Sequence, residues 1–327
     1  MPKQVGFVIG SSVGPESLAG AAAKAERAGF AELWLAEDFF FTGGISGANI
    51  ALGATKEIQV GLGVVSAVVR HPALLAMEIA TTSRAHPGRF QPGIGLGVPA
   101  WMRQMNLLPE SPLSAVRECV TSVRALLDGD QLTESGRVFD FDSVRLVYPQ
   151  SEHIPLHLGV IGPKMLQLSG EVADGSILSV AAGVDYINWA REQINAGRQS
   201  AGRTDNHHLT VFAIYAASED AEQAKRQARK TLAFYKAAGG RNALTDVSGI
   251  SEALIEMSDR GGAETVEAEM PDWWVEELTV SGTPDEVAEK INRLFGAGAD
   301  SVSLFPATGV DLDELIETTS TKVLPAL

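Results

Sequence analysis

Short runs rich in β-branched and other apolar residues alternate along this chain with longer stretches in which apolar residues recur at helical spacing. The short runs predict eight strands, near Val5–Gly10, Ala31–Ala36, Ile58–Val64, Phe90–Gly95, Pro155–Val160, Gly175–Ser179, Leu209–Ala216 and Asp300–Phe305. The stretches between them carry helix signals. Pro15 and Glu16 open a segment with Leu18, Ala21, Ala22 and Ala25 on one face, and Gly29 stands where a left-handed C-terminal cap belongs. Thr283-Pro284-Asp285-Glu286 reads as a capping box, followed by Val287, Ile291, Leu294 and Phe295 at helical spacing. Further helices are predicted over Pro72–Arg84, Leu113–Leu127, Pro163–Ala173, Asp185–Ala201, Glu219–Ala237 and Leu312–Leu324.

Most strand-to-strand spacings suit one strand plus one helix, and two are longer. The gap after the fourth strand holds a helix and a hairpin, Gly129–Tyr148. The gap after the seventh holds a polar helix and then a Gly-, Glu- and Trp-bearing segment around Asn242–Glu277. Eight such units with right-handed crossovers predict an α/β fold, a (β/α)8 TIM barrel with insertions after strands 4 and 7. One domain is expected over 1–327, with insertions at about 98–153 and 238–280. A doubly wound sheet is the rival, but the first turn, GSSVGP, lacks G-x-G-x-x-G.

Composition narrows the classes. Hydrophobic residues make up 45%, which excludes global disorder. The 26 Lys+Arg against 41 Asp+Glu give a formal charge of −15, which argues against nucleic-acid or anionic-membrane partners. No apolar run reaches the roughly 18 residues of a membrane span, and the start, MPKQVGFVIG, lacks the length and cleavage site of a signal peptide. A single cysteine, Cys119, excludes an intrachain disulfide framework. A soluble cytoplasmic protein acting on a small molecule is the expectation.

In such a barrel, chemistry sits on the loops after the C-terminal ends of the strands. Those ends read Gly10-Ser11-Ser12, Glu37-Asp38, Val64-Val65-Ser66, Gly95-Leu96-Gly97-Val98, Gly159-Val160-Ile161-Gly162-Pro163 and Ser179. Most are small, so backbone can approach a flat ligand closely. Only Glu37 and Asp38 ionise. Neighbours in a strand point to opposite sides, so one can serve as acid/base or ring contact while the other caps or pairs. Helix capping for the segment starting near Gly44 is the structural alternative. Gly159–Pro163 runs into a helix, so its N–H groups read as a phosphate cradle or as a plain tight turn. Trp101 and Met102 follow the Gly95–Val98 turn, where an aromatic can shield a ligand or anchor the loop. Trp273-Trp274 read as a lid, an interface patch or packing of the insertion. His71 is expected to cap a helix, and His153, His157, His207 and His208 to be structural; no metal site is expected. Cys119 reads as a buried, inert thiol. No G-x-S-x-G, P-loop or H-E-x-x-H occurs.

Several segments together resemble the luciferase-like superfamily, TIM barrels that bind FMN or the deazaflavin coenzyme F420. IPLHLGVIGPKMLQLSGEVADGSIL (Ile154–Leu178) is similar to F420-dependent methylenetetrahydromethanopterin reductases, including the Gly-x-x-Gly-Pro turn and the Ala173-Asp174-Gly175 ending. Val60–Gly97 carries Arg-x-Pro and Gly-Arg-Phe landmarks, Ala28–Asp38 the second-strand motif, and Ser281–Ile291 the late capping box.

The resemblance implies a non-prolyl cis peptide at Val64-Val65-Ser66, supporting the cofactor ring from behind. It places the Val160, Ile161 and Gly162 N–H groups on a cofactor phosphate, with Gly175, Ser176 and Ser179 nearby and Gly10 and Gly97 beside the ring. Departures accompany it. F420-dependent members often carry Asp-His where this chain has Glu37-Asp38, and an acid where it has Val98, so Asp38 is the remaining candidate for proton transfer by position, with Trp101 lining the substrate side. The leading expectation is an F420-dependent oxidoreductase. An FMN-dependent monooxygenase is the second reading, and a non-catalytic flavin-binding or assembly subunit the third. Homodimers through the helices after the second and third strands are implied as well.

Overall fold

All eight apolar runs form strands in the computed structural model, which describes residues 3–11 and 13–327. The strands are Gln4–Ile9, Glu32–Leu35, Gln59–Leu62 continued by Val65–Ser66, Phe90–Gln91 continued by Gly93–Gly95, His157–Val160, Gly175–Leu178, His208–Ala217 and Ser301–Pro306. Each pairs in parallel with the next. Gly6 lies opposite Glu32, Leu33 opposite Val60, Val60 opposite Phe90, Gly93 opposite His157, His157 opposite Gly175 and Gly175 opposite His208. Thr210 opposite Ser301 and Ser301 opposite Gln4 close the ring, so the sheet has no free edge and the fold is a (β/α)8 barrel.

Two strands are interrupted at matching positions. The third breaks at Gly63–Val64, a cis peptide, and the fourth at Pro92, which has no N–H to give the ladder. Pairing resumes beyond both, Val65 opposite Ile94 and Ser66 opposite Gly95.

Two apolar clusters follow from this closure. The larger lies between the barrel and the surrounding helices, and includes Leu33, Leu35, Val60, Leu62, Val65, Leu158, Val160 and Leu178 from the strands. The smaller fills the upper barrel with Val8, Trp34, Ile177, Phe212 and Ile214 and continues into the insertion after the seventh strand. The expected capping box forms at Thr283–Glu286, His71 accepts from the Ala73 N–H, and Gly29 adopts φ +90°. Arg89 closes another helix end by donating to the carbonyls of Leu52 and Thr55. Burial pushes the Cys119 thiol up to about 12, leaving it inert.

The insertion after the fourth strand includes the antiparallel hairpin Leu132–Ser135 with Asp140–Val144, pinned by Glu118, which accepts from the N–H groups of Arg137, Val138 and Phe139. The insertion after the seventh strand starts earlier than expected. The helix returning to the eighth strand is Pro284–Gly296, whereas Ala221–Gly239 packs with Ser251–Glu269 as part of a helical cap. The polar helix ahead of the expected bound near 238 thus packs with the cap. In the same segment Trp274 is buried and Trp273 half-exposed.

One cap residue is costly. Lys236 is 4% exposed, and burial pushes its ammonium down to about 8, with no carboxylate offsetting the effect. Holding that charge in the folded state costs roughly 3 kcal/mol relative to the unfolded chain. Lys236→Met keeps an unbranched stem and removes the charge, so the thermal midpoint is expected to rise by a few degrees. A lower midpoint in a calorimetric scan at pH 7 would show that the amine has a partner worth more than its desolvation.

Candidate active site

The C-terminal ends of the strands form the open mouth, and Asp38 stands on it just past the second strand. Ser11, after the first strand, donates its hydroxyl to Asp38 Oδ2 at 2.6 Å, while Oδ1 accepts from no described residue. Ser12 lies outside the described residues. Glu37, also just past the strand, turns the other way. Its carboxylate takes both guanidinium nitrogens of Arg70, at 2.9 and 3.1 Å, and accepts from the Gly44 N–H at 2.8 Å, where the helix Gly44–Ala54 begins. Both Glu37 oxygens are thereby engaged in tying two loops together, so Asp38 is the carboxylate free to meet a ligand.

The third-strand break puts Gly63 and Val64 half-exposed at the mouth, between buried neighbours. The cis bond falls at Gly63–Val64, immediately before the expected Val64-Val65-Ser66. Val64 packs on three glycines: a Cβ at Gly93, Gly95 or Gly159 would come within 3.2, 2.6 or 2.8 Å of its side chain. Val65 points outward into the helix-side core, and Ser66 donates to the Leu96 carbonyl at 2.7 Å. Of the three residues, only Val64 offers its side chain to a ligand. Gly97 has φ +94°, and a Cβ there would meet Ser66 Cβ at 3.2 Å and Met102 Sδ at 3.3 Å, so a side chain is excluded both by backbone and by space.

Beside this platform the fifth strand ends at Val160, whose side chain is buried in the outer core. Ile161 and Gly162 then lead into the helix Pro163–Val172, whose N-terminus has no side-chain cap. No atom lies within 4 Å of a Cβ placed on Gly162, and Lys164 in the first turn is exposed. Free first-turn N–H groups, open space and a nearby ammonium suit an anion. Tyr186 donates to the Ile161 carbonyl at 2.6 Å and holds the turn from behind.

Ser179, half-buried after the sixth strand, is at the mouth, but Gly175 and Ser176 are not. They begin that strand at the opposite end, with Gly175 against the His157 ring and Ser176 bonded to Ser169 and His207. Their expected place beside the phosphate is corrected: nearness in sequence to Ser179 does not survive the length of an extended strand.

The rim is aromatic. Phe39 and Trp101 lie 6.1 Å apart between ring centroids, Trp101 half-buried and Met102 fully buried beneath it, and Phe40 is exposed. Sequence reasoning missed Tyr235. This residue of the cap helix Ala221–Gly239 meets Phe305, near the end of the eighth strand, edge-on at 5.6 Å. Burial and the nearby Asp38 charge push its phenol up to about 12, so it is a neutral donor at ordinary pH. The only sequence signal was an aromatic pair, Phe234-Tyr235, in an otherwise charged helix. Among the described residues no group of three His, Cys, Asp or Glu is arranged for a metal ion, and no helix is long and apolar enough to cross a membrane.

Comparison with known proteins agrees with this fold. A family model described as luciferase-like monooxygenase matches residues 3–301. The chain is 30% identical to a 5,10-methylenetetrahydromethanopterin reductase of Archaeoglobus fulgidus, covering 93% of each. It is 26% identical to an F420-dependent glucose-6-phosphate dehydrogenase of Nakamurella multipartita, over 96% of this chain and 93% of that one. The solved structure of a coenzyme F420-dependent tetrahydromethanopterin reductase from Methanopyrus kandleri superposes with a TM-score of 0.88 at 24% identity, over 99% of each chain, which shows the shared fold.

Proposed function

We propose, on the premise that this chain belongs to the luciferase-like monooxygenase family, that it is an oxidoreductase moving hydride between coenzyme F420 and a small organic substrate. The observation that carries this reading is the end-to-end similarity to relatives whose names specify F420. When bound, F420 supplies the hydride-carrying deazaflavin ring.

The residues present fit such a group. Val64, resting on Gly93, Gly95 and Gly159, offers a flat apolar seat, and Gly97 lets backbone come close. Ile161, Gly162 and Lys164 would receive the phosphate through N–H groups and one ammonium, which answers the overall charge of −15 without a basic cluster. Gly10 and Ser179 border the same mouth. Asp38, oriented by Ser11, would hold or move the proton that accompanies hydride at the substrate, and the neutral Tyr235 phenol can donate to a substrate oxygen or nitrogen. Phe39, Trp101 and the cap helix exclude water. With reduced F420 and a panel of carbonyl and iminium acceptors, deazaflavin absorbance should recover only when a productive acceptor is added, without oxygen uptake. Acceptor-dependent oxygen consumption would favour an FMN-type monooxygenase instead.

Self-association belongs to the same proposal. Ile50, Leu74 and Met77 are exposed on the helices Gly44–Ala54 and Pro72–Ala85, an apolar surface suited to a second copy. Sedimentation velocity should give a dimer that Leu74→Glu with Met77→Glu converts to monomer; an unchanged dimer in the double variant would move the interface elsewhere.

A further inference from the structure

Beneath Gly63–Val64 lies a stack of side chains that hydride transfer leaves unexplained. Trp34 is fully buried inside the barrel, edge-on to Phe212 at 5.7 Å and to His157 at 5.8 Å. A Cβ on Gly61 would stand 2.3 Å from Trp34 Cε3, so the indole bears directly on the third strand there. A Cβ on Gly63 would meet Phe212 Cζ first, at 2.5 Å, with Trp34 Cε3 at 3.6 Å, so the indole and the phenyl ring it packs against together support the backbone leading into the platform. Its Nε1–H donates to Glu32 Oε2 at 2.9 Å, and Ser301 Oγ donates to the same oxygen. Glu32 is 1% exposed; its Oε1 has no hydrogen-bond partner among the described residues, and His208 Nε2 stands 4.0 Å away. A carboxyl group at the centre of a barrel is costly to bury, and an apolar residue would fill the same space but could not accept from the indole.

We infer that Glu32 is a positioning residue: by accepting from Trp34 Nε1 it fixes the tilt of the indole, and the indole sets the height of the Gly63–Val64 platform under the deazaflavin ring. This rests on the F420 reading above. Without the acceptor, a buried indole N–H loses its hydrogen-bond partner. The ring then turns toward another acceptor, and the Gly61 backbone, packed against its edge, and Phe212, which joins the indole to Gly63, have to shift with it.

The test uses purified full-length protein and F420 itself, with the dissociation constant and the absorption spectrum of the bound deazaflavin as readouts. Glu32→Gln keeps an oxygen acceptor and should bind within threefold of wild type with an unchanged bound spectrum. Glu32→Leu should bind at least tenfold more weakly, with its bound spectrum moved toward that of free F420. Trp34→Phe, which lacks the donor, should behave the same way. Glu32→Leu should add less than twofold in the Trp34→Phe background, since both act through one bond. Wild-type affinity and spectrum in Glu32→Leu, or losses that multiply in the double variant, would overturn the inference. If Glu32→Leu does not fold, the contrast between Glu32→Gln and Trp34→Phe decides: a loss in Trp34→Phe alone supports it, and equal behaviour of the two overturns it. Failure of the wild-type protein to bind F420 would instead sink the functional reading on which this rests.

Discussion

Replacing Asp38 by alanine is expected to lower F420-linked turnover by about 100-fold or more while changing F420 affinity less than about threefold. Glu37 and Asp38 are adjacent just past the second strand and their side chains diverge: Glu37 is held by Arg70 and the Gly44 N–H. Asp38 keeps only the Ser11 hydroxyl at 2.6 Å and leaves Oδ1 free at the mouth. On the proposed function, a carboxylate poised in this way would contribute to proton transfer rather than to holding a cofactor whose phosphate would sit across the barrel at Ile161–Lys164. Asp38→Asn, nearly isosteric but unable to take a proton, should be as damaging as alanine, whereas Ser11→Ala should cost about tenfold or less. Steady-state kinetics with the acceptor found productive for the wild type, alongside F420 titration of each variant, separates the two quantities. Unchanged turnover in Asp38→Ala would reject the proton role.

Mild acid should destabilise the protein well above the pH at which carboxylates titrate. Burial pushes His157 down to about 3, with the neighbouring His208 and His207 adding to the effect, and burial likewise pushes His207 down to about 3, assisted by Arg198, Arg191 and Arg203. Both are thus neutral when folded and take up protons near pH 6.5 when unfolded. The unfolded chain then binds about two more protons than the folded one between pH 6.5 and 3. Stability accordingly rises with pH across that window and falls as pH drops, by roughly 2.7 kcal/mol per pH unit below about 6. Against a typical total of about 5–15 kcal/mol, a loss of that slope exposes the fold near pH 4. Urea unfolding at a series of pH values from 7.5 to 5 would show it, and His157→Asn should roughly halve the slope. A flat profile from pH 6.5 to 5 would mean that the histidines find partners that keep them protonated in the fold.

Much of this architecture was legible from residues alone, for reasons tied to particular elements. The eight strands stand out because their short runs are rich in apolar residues and end at or near glycine, as at Gly10 and Gly95. The divergence of Glu37 and Asp38 matches the alternation expected of a strand, although the second strand ends at Leu35 and both lie beyond it. Other features were hidden. Nothing in VGLGVVS marks where the third strand breaks, since glycine and valine occupy both sides of Gly63–Val64. Gly175 and Ser176 looked close to Ser179, yet three to four residues of extended chain span about 10 Å and separate the floor of the barrel from its mouth. The polar interior, with Glu32, His157, His208, Thr210 and Ser303, was masked because no periodicity distinguishes inward from outward positions when both are buried. Tyr235 reaches the mouth only through the placement of the cap helix, a tertiary fact that local pattern does not carry.

The central claim is the choice of cofactor, and the most direct measurement is equilibrium titration of the cofactor-free protein with F420 and, separately, with FMN, followed by fluorescence quenching. The account predicts saturable binding of F420 in the micromolar range and negligible binding of FMN at the same concentrations. Tight binding of FMN without F420, or binding of neither, would contradict it.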